Sequence, residues 1–284
     1  MQIQAMTTRR CAAMVCLVVA VCLVSLDGGA SRAETWYRAK TTWNGFDRFE
    51  FEVAGRKAYV VVPAKIAESK PWIWRARFPD YHAEMDVALV RRGFHIGYVD
   101  VAGLYGSPKA MEIGDAFYRF VTERLGLSSR PVLEGVSRGG LFVYNWAARH
   151  PDRVACIYAD TPVLDIRSWP GGKGRGEGSE ACWRECLEVY GLTEETAVSF
   201  SENPIDHAAI IAKARIPILH VVSDNDRIVP PAENTDLFAE RLRAAGGTME
   251  IMRVAQGTES SGGHHFPHPD PDRVVRFILS HTKN

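Results

Sequence analysis

Gly135-Val136-Ser137-Arg138-Gly139 decides how the rest of this chain is read. It follows Pro131-Val132-Leu133, a short apolar run with strand character, and leads into Gly140-Leu141-Phe142-Val143-Tyr144-Asn145-Trp146-Ala147-Ala148-Arg149, which reads as a helix. Strand, sharp turn and helix is the context in which a G-x-S-x-G match becomes a nucleophile elbow. Such a turn forces the serine into strained backbone geometry, and its neighbours must be small because side chains there would clash. The hydroxyl then projects above the sheet edge, with a helix N-terminus behind it that favours developing negative charge. Outside that context the pentapeptide recurs by chance, so its chemical partners have to be found elsewhere in the chain.

Residues 1–33 stand apart from the fold. Arg9 and Arg10 form a charged start, Cys11 to Leu26 is an apolar run, and Ala30-Ser31-Arg32-Ala33 supplies small residues at the −3 and −1 positions of a cleavage site. This is the grammar of a secretory signal peptide. The apolar run is short for a membrane span of about 20 residues, and Val21 stands before Cys22 where a lipoprotein needs a small residue. The expectation is cleavage after Ala33, export to the periplasm or beyond, and no stable membrane insertion afterwards. Residues 34–284 then suit one α/β domain with a substantial core. Lys and Arg total 34 against 34 Asp and Glu, and this lack of basic excess speaks against a nucleic-acid partner. Cys156 lies in an apolar run and reads as a buried hydrophobe. Cys182 and Cys186 are four apart in a helix-like segment, where a bridge stays open, and the odd number in an exported chain leaves at least one thiol free.

Phe49-Glu50-Phe51-Glu52-Val53 alternates strictly, turns at Ala54-Gly55-Arg56-Lys57 and returns through Ala58-Tyr59-Val60-Val61-Val62-Pro63 as a hairpin. Strands are then expected at 71–74, 95–100, 132–134, 154–159, 217–222 and 249–254. Helices are expected at 83–91, 109–124, 139–149, 231–244 and 271–280. Alternating helices and near-continuous apolar strands imply a mostly parallel, buried sheet with its functional groups beyond the carboxyl ends of the strands. Between the strands near Asp160 and Pro217 lie roughly 55 residues, more than a simple crossover needs. Their glycine-rich stretch 171–178 lacks the order of a phosphate loop. It reads either as a flexible surface loop or as a lid over the serine, with Trp169, Trp183 and Tyr190 as candidate contacts.

A serine hydroxyl needs a base to take its proton, and the base needs a third group to fix its tautomer. Beyond the strand ending at Val222, Asp226 is the chosen acid; Asp224 competes and reads better as a turn residue. Beyond the last strand, Gly262-Gly263-His264-His265-Phe266-Pro267-His268 offers His264 as the base, with His265 the alternative and His268 at or near the site. Pro267 spoils helical presentation of His264, His268 and Asp270, which sets a zinc reading aside. Two backbone N–H donors are needed for the oxyanion: one from Arg138, and one from the loop after the strand at 71–74, placed at Arg75 or a close neighbour. Arg75, Arg77 and Arg138 would favour an anionic or heavily oxygenated substrate if they face the pocket. No cofactor is implied.

The order Ser137, Asp226, His264, with Asp226-Arg227-Ile228-Val229-Pro230 and Gly263-His264 around the partners, resembles the α/β-hydrolase superfamily from the hairpin at Phe49 to the final helix. The resemblance implies a mostly parallel central sheet, an antiparallel N-terminal hairpin, helices on both faces and a cap or lid, about 164–212, after the sixth strand. The words Pro71-Trp72-Ile73-Trp74-Arg75-Ala76-Arg77-Phe78 and Gly262 to His268 are similar to a group of exported bacterial serine hydrolases that accompany polysaccharide breakdown. That implies a carbohydrate esterase acting on a small-molecule or oligosaccharide ester, with Arg77, Trp169, His265 and His268 as candidate substrate contacts; kinship of fold alone does not fix function. A peptidase of the same fold is the nearest alternative, and residues 34–284 are expected to be too short for a large gating domain. A non-catalytic carbohydrate-binding or scaffold protein with a relic elbow is the alternative from another class.

Overall fold

Successive residues of the central strands point to opposite faces of one sheet, and both faces are apolar. Trp72 and Trp74 join Val60, Leu133 and Ile157 in a core on one side, while Ile73 joins Val61, Val132, Tyr158 and Leu219 in a core on the other. Two-sided burial is why these strands read as unbroken apolar runs and why helices cover both faces. The computed structural model describes residues 36–282; the leader expected at 1–33 lies outside them.

Nine strands form the sheet: β1 (Ala39–Trp43), β2 (Phe46–Val53), β3 (Arg56–Val62), β4 (Trp72–Arg75), β5 (His95–Val99), β6 (Val132–Val136), β7 (Cys156–Asp160), β8 (Ile218–Ser223) and β9 (Glu250–Val254). They lie in the order β1-β2-β3-β5-β4-β6-β7-β8-β9. The first four in that order pair antiparallel and the rest parallel. The helices are α1 (Glu84–Val90), α2 (Pro108–Arg119), α3 (Gly139–Arg149), α4 (Glu180–Tyr190), α5 (Glu194–Val198), α6 (Ala208–Ala214), α7 (Thr235–Ala244) and α8 (Pro271–His281). This is the α/β-hydrolase arrangement. β1 was not expected: all but its last residue are exposed, so it shows no apolar alternation. Its presence puts the long insertion after the seventh strand instead of the sixth.

That insertion builds a small core of its own. Val163, Ile166, Trp169, Trp183, Cys186 and Ala197 pack there with Leu141 of α3 and Val229. Cys182 and Cys186 are free thiols. The glycine stretch is not the loose surface loop that its composition suggests. A Cβ on Gly174 would lie 2.3 Å from Glu233, and one on Gly176 2.8 Å from Pro230. The Glu177 amide donates to the Arg227 carbonyl at 2.7 Å. The stretch packs directly onto the segment between β8 and α7, and the rigid Pro230 ring leaves no room for a side chain at Gly176, whereas the Glu233 carboxylate facing Gly174 is free to swing aside.

Arg75 ends β4 with its side chain fully buried. Its guanidinium pairs with Asp86 of α1, with Glu134 of β6 at 2.7 Å, and with the carbonyls of Phe78 at 3.0 Å and Tyr81. Burial opposes its charge, but Asp86 and Glu134 outweigh that and hold it protonated. Burial also raises the Glu134 carboxyl well above the ordinary range, despite Arg75. The cluster therefore ties two strands, a helix and the loop after β4 to one cation. Arg75→Met would leave Asp86 buried without its counter-ion, and a loss of about 3–5 kcal/mol in urea unfolding is expected. Glu134→Gln keeps the shape and an acceptor oxygen for the guanidinium while Asp86 remains as counter-ion, and should cost less, about 0.5–1.5 kcal/mol. Equal losses in the two variants would refute the view that the guanidinium is what holds the cluster.

Candidate active site

Ser137 sits where β6 turns into α3, with φ of 50°. Its amide donates to the Asp160 carbonyl at 2.8 Å, and its own carbonyl accepts from Gly140 and Val163, each at 2.9 Å. These bonds hold the strained residue from both sides. The flanking glycines are needed for closeness. A Cβ on Gly135 would lie 2.7 Å from Val143 Cγ2, and one on Gly140 2.7 Å from Pro162 Cβ.

Asp226 lies just beyond β8, nearly buried. Its Oδ1 accepts from the amides of Ile228 and Val229, both at 2.9 Å, and its Oδ2 faces His264 Nδ1 at 2.7 Å. His264 Nε2 lies 3.0 Å from Ser137 Oγ. Asp224 instead pairs with Arg253 at 2.8 Å on the surface, and Arg227 reaches Glu177 and Glu259. The loop carrying His264 rests on the loop carrying Asp226: Gly263 has φ of +85°, and a Cβ there would sit 2.3 Å from the Asn225 carbonyl. Arg227 N–H donates to the Gly262 carbonyl at 2.8 Å, and Gly257 N–H donates to Ser223 Oγ and Asn225 Oδ1 at 2.8 and 2.7 Å. Acid and base are thus aligned by backbone bonds between their loops.

A second buried acid–imidazole pair lies beside the first. His82 Nδ1 is 2.5 Å from Asp160 Oδ2, and its Nε2 donates to the Phe266 carbonyl at 2.7 Å. Both ring nitrogens face acceptors, so the ring is held as an imidazolium. Burial works against that charge, and Asp160 more than offsets it, raising the His82 pKa. The pair straps the His264 loop, two residues past the base, to the end of β7.

Ser137 opens into a cavity of about 340 Å³ lined by Phe78, Tyr81, Val136, Arg138, Thr161, Trp169, Ile228, His264 and His265. Of the substrate contacts expected from sequence, Trp169 and His265 reach it. Burial, with the neighbouring His264, lowers the His265 pKa. His268 does not line it: its Nε2 faces the Tyr158 hydroxyl at 3.0 Å and its Nδ1 accepts from the Asp270 amide. Arg77 is not among the lining residues either; its guanidinium lies 4.9 Å from the ring of Phe78, which is. Trp183 is buried in the insertion and Tyr190 bonds the Tyr105 carbonyl.

Arg75, expected as the second oxyanion donor, is not at the site. β4 continues through it, so its backbone lies in the ladder opposite Tyr98 and Glu134, and its side chain is committed to carboxylates. Six residues later, Tyr81 lines the cavity, and its buried hydroxyl finds no acceptor for its proton among the described residues. Sequence reasoning missed it by looking only for backbone donors. The available signal was a hydroxyl residue in the loop that must face Ser137.

Residues 98–283 match the Prolyl oligopeptidase family model, Peptidase_S9. No curated protein matches the chain. Among solved structures, Porphyromonas gingivalis dipeptidyl peptidase 4 superposes with a TM-score of 0.63 at 16% identity, covering 84% of this chain and 36% of that one. A Mycobacterium tuberculosis puromycin-hydrolyzing peptidase gives 0.62 at 18%, covering 82% and 38%. The chain thus spans less than half the length of these two peptidases. A variant of the esterase rPPE gives 0.62 at 19% and is similar in length, with 87% and 86% covered. At such identities the likeness is one of fold.

His82 carries the pH dependence of this strap. Its folded pKa lies above the unfolded value of 6.5, so its contribution is complete below about pH 6.5 and is lost as pH rises through the folded value. His82→Gln should lower the urea midpoint at about pH 6 and converge on the parent near pH 9. A gap that stays constant across that range would show that no imidazolium is involved.

Proposed function

The chain belongs to the prolyl oligopeptidase family of α/β-hydrolases, serine hydrolases that include peptidases and esterases, and from that premise we propose that it is an exported hydrolase of carboxylic esters. The observation that carries the reading is His264, which stands within hydrogen-bond reach of Ser137 Oγ on one ring nitrogen and of Asp226 on the other. His264 Nε2 takes the Ser137 proton as Oγ attacks the ester carbonyl, and Asp226 stabilises the imidazolium that forms. The developing oxyanion is held by the Arg138 amide at the start of α3 and by the Tyr81 hydroxyl. The tetrahedral adduct collapses, His264 hands its proton to the leaving alcohol, and the acyl group stays on Ser137. Water, deprotonated by His264, then releases the acid and restores the serine.

The cavity disfavours a peptidase that anchors a free amino terminus. None of its lining residues is Asp or Glu, so it offers no carboxylate to a substrate's free amino terminus. The family match is what supports the second reading, a peptidase. Export rests on the leader grammar of residues 1–33, and an oligosaccharide or small-molecule ester on the words shared with the exported hydrolases.

Fluorophosphonate labelling is expected in the parent protein and absent in Ser137→Ala and His264→Ala. Tyr81→Phe should lower kcat about 10²-fold with little change in KM; an unchanged kcat would remove the hydroxyl from the oxyanion site. A nitrophenyl acetate should turn over and an aminoacyl nitroanilide should not, and the reverse preference would sink the ester reading in favour of the peptidase. Amino-terminal sequencing of the secreted protein should begin at Glu34.

A further inference from the structure

We propose that the Arg138 side chain receives a carboxylate on the substrate, so that the ester cleaved at Ser137 is an anionic one; this rests on the ester-hydrolase reading and names its substrate class. Arg138 follows the nucleophile directly, and its side chain is only partly exposed. Its guanidinium carbon lies 4.9 Å from the Trp169 ring and 5.8 Å from the Phe78 ring, and all three residues line the Ser137 cavity.

The neighbouring arginines show what sets this one apart. Arg75 is neutralised by Asp86 and Glu134, and Arg77 lies outside the cavity lining. Among the described residues Arg138 has no carboxylate partner, and no Asp or Glu lines the space in front of it. Aromatic rings stabilise a guanidinium through their faces and take none of its N–H donors. The planar fork is therefore held in orientation while its donors stay unspent, which is the state that suits bidentate capture of a carboxylate. A solvated surface arginine needs no such aromatic support and has no reason to sit beside an oxyanion site. Because it lines the same cavity as Ser137, the cation faces the space that the ester being cleaved would occupy. The carboxylate belongs either to the acyl half, as in a dicarboxylic half-ester, or to the alcohol half, as in an acetylated uronic acid.

Two matched pairs separate those sources: nitrophenyl hemisuccinate against nitrophenyl butyrate, and O-acetylglucuronate against O-acetylglucose. One pair should show a preference in kcat/KM for the anionic member of about ten-fold or more. Arg138→Met should bring that ratio close to one, and Arg138→Lys should retain part of it as an unstacked point charge. A ratio near one for both pairs in the parent protein, or a preference that survives Arg138→Met, overturns the proposal. Calorimetric binding of succinate and of glucuronate to Ser137→Ala, with and without Arg138→Met, supplies a readout free of catalysis. One of the two should bind at least about ten-fold more weakly in the double variant, with thermal unfolding confirming that both proteins are folded. Carboxylate binding that depends on Arg138 without any ester turnover would condemn the hydrolase reading and keep the anion site. Turnover of neutral esters with neither preference nor binding would condemn the anion site alone, and the absence of both turnover and binding would overturn the two together.

Discussion

A single buried guanidinium, that of Arg75, is the interaction on which the site depends. An arginine inside a sheet is costly unless its charge is met; both terminal nitrogens of this guanidinium are bonded, while its Nε has no partner among the described residues. Here the partners are a carboxylate from α1, a carboxylate from β6 and two carbonyls from the loop after β4. Glu134 lies three residues before Ser137, on the strand that leads into it, and the two carbonyls belong to Phe78 and Tyr81. The cation thereby fixes, from below, both the strand that delivers the nucleophile and the loop that delivers the Tyr81 hydroxyl and the Phe78 ring. Catalytic preorganisation at the cavity begins one layer down, in a cluster that never meets substrate.

Above that layer the alignment is made by loops bonded to loops. The segments bearing Asp226 and His264 touch so closely that Gly263 has no room for a side chain, and Arg227 and Gly257 add backbone bonds between them. The Asp160–His82 pair holds the far side of the His264 loop. The Asp160 carbonyl also receives the Ser137 amide. One residue at the end of β7 therefore constrains the nucleophile through its backbone and the base through its side chain.

Legibility in the sequence followed the physics of each feature. Two-sided burial makes apolar runs, so the parallel strands and their order of alternation with helices were readable, and so was the elbow, because close backbone approach demands glycine at Gly135 and Gly140. Ser137, Asp226 and His264 stood at the expected strand ends, and the structure brings them together. β1 was hidden because an edge strand of exposed Lys and Thr carries no alternation. Arg75 was misplaced because the ladder runs past the apolar run that marks β4: even the Ala76 amide donates to the Glu134 carbonyl. Tyr81, His82 and Asp160 meet only through tertiary contacts across the sheet edge, and no local pattern marks them. Glycine content suggested looseness for residues 171–178 when the cause was contact.

That last segment changes what kinds of damage the protein can hide. Residues 171–178 lie against the stretch from Arg227 to Glu233, immediately after the acid of the site. Bulk introduced there pushes on Asp226's loop while leaving the sheet and its two cores alone. Because Val229 in the stretch from Arg227 to Glu233 belongs to the insertion's own core, such bulk would disturb local packing and the alignment of acid and base together. A screen that ranks by stability alone reads the packing lost at this seam and not the alignment lost with it.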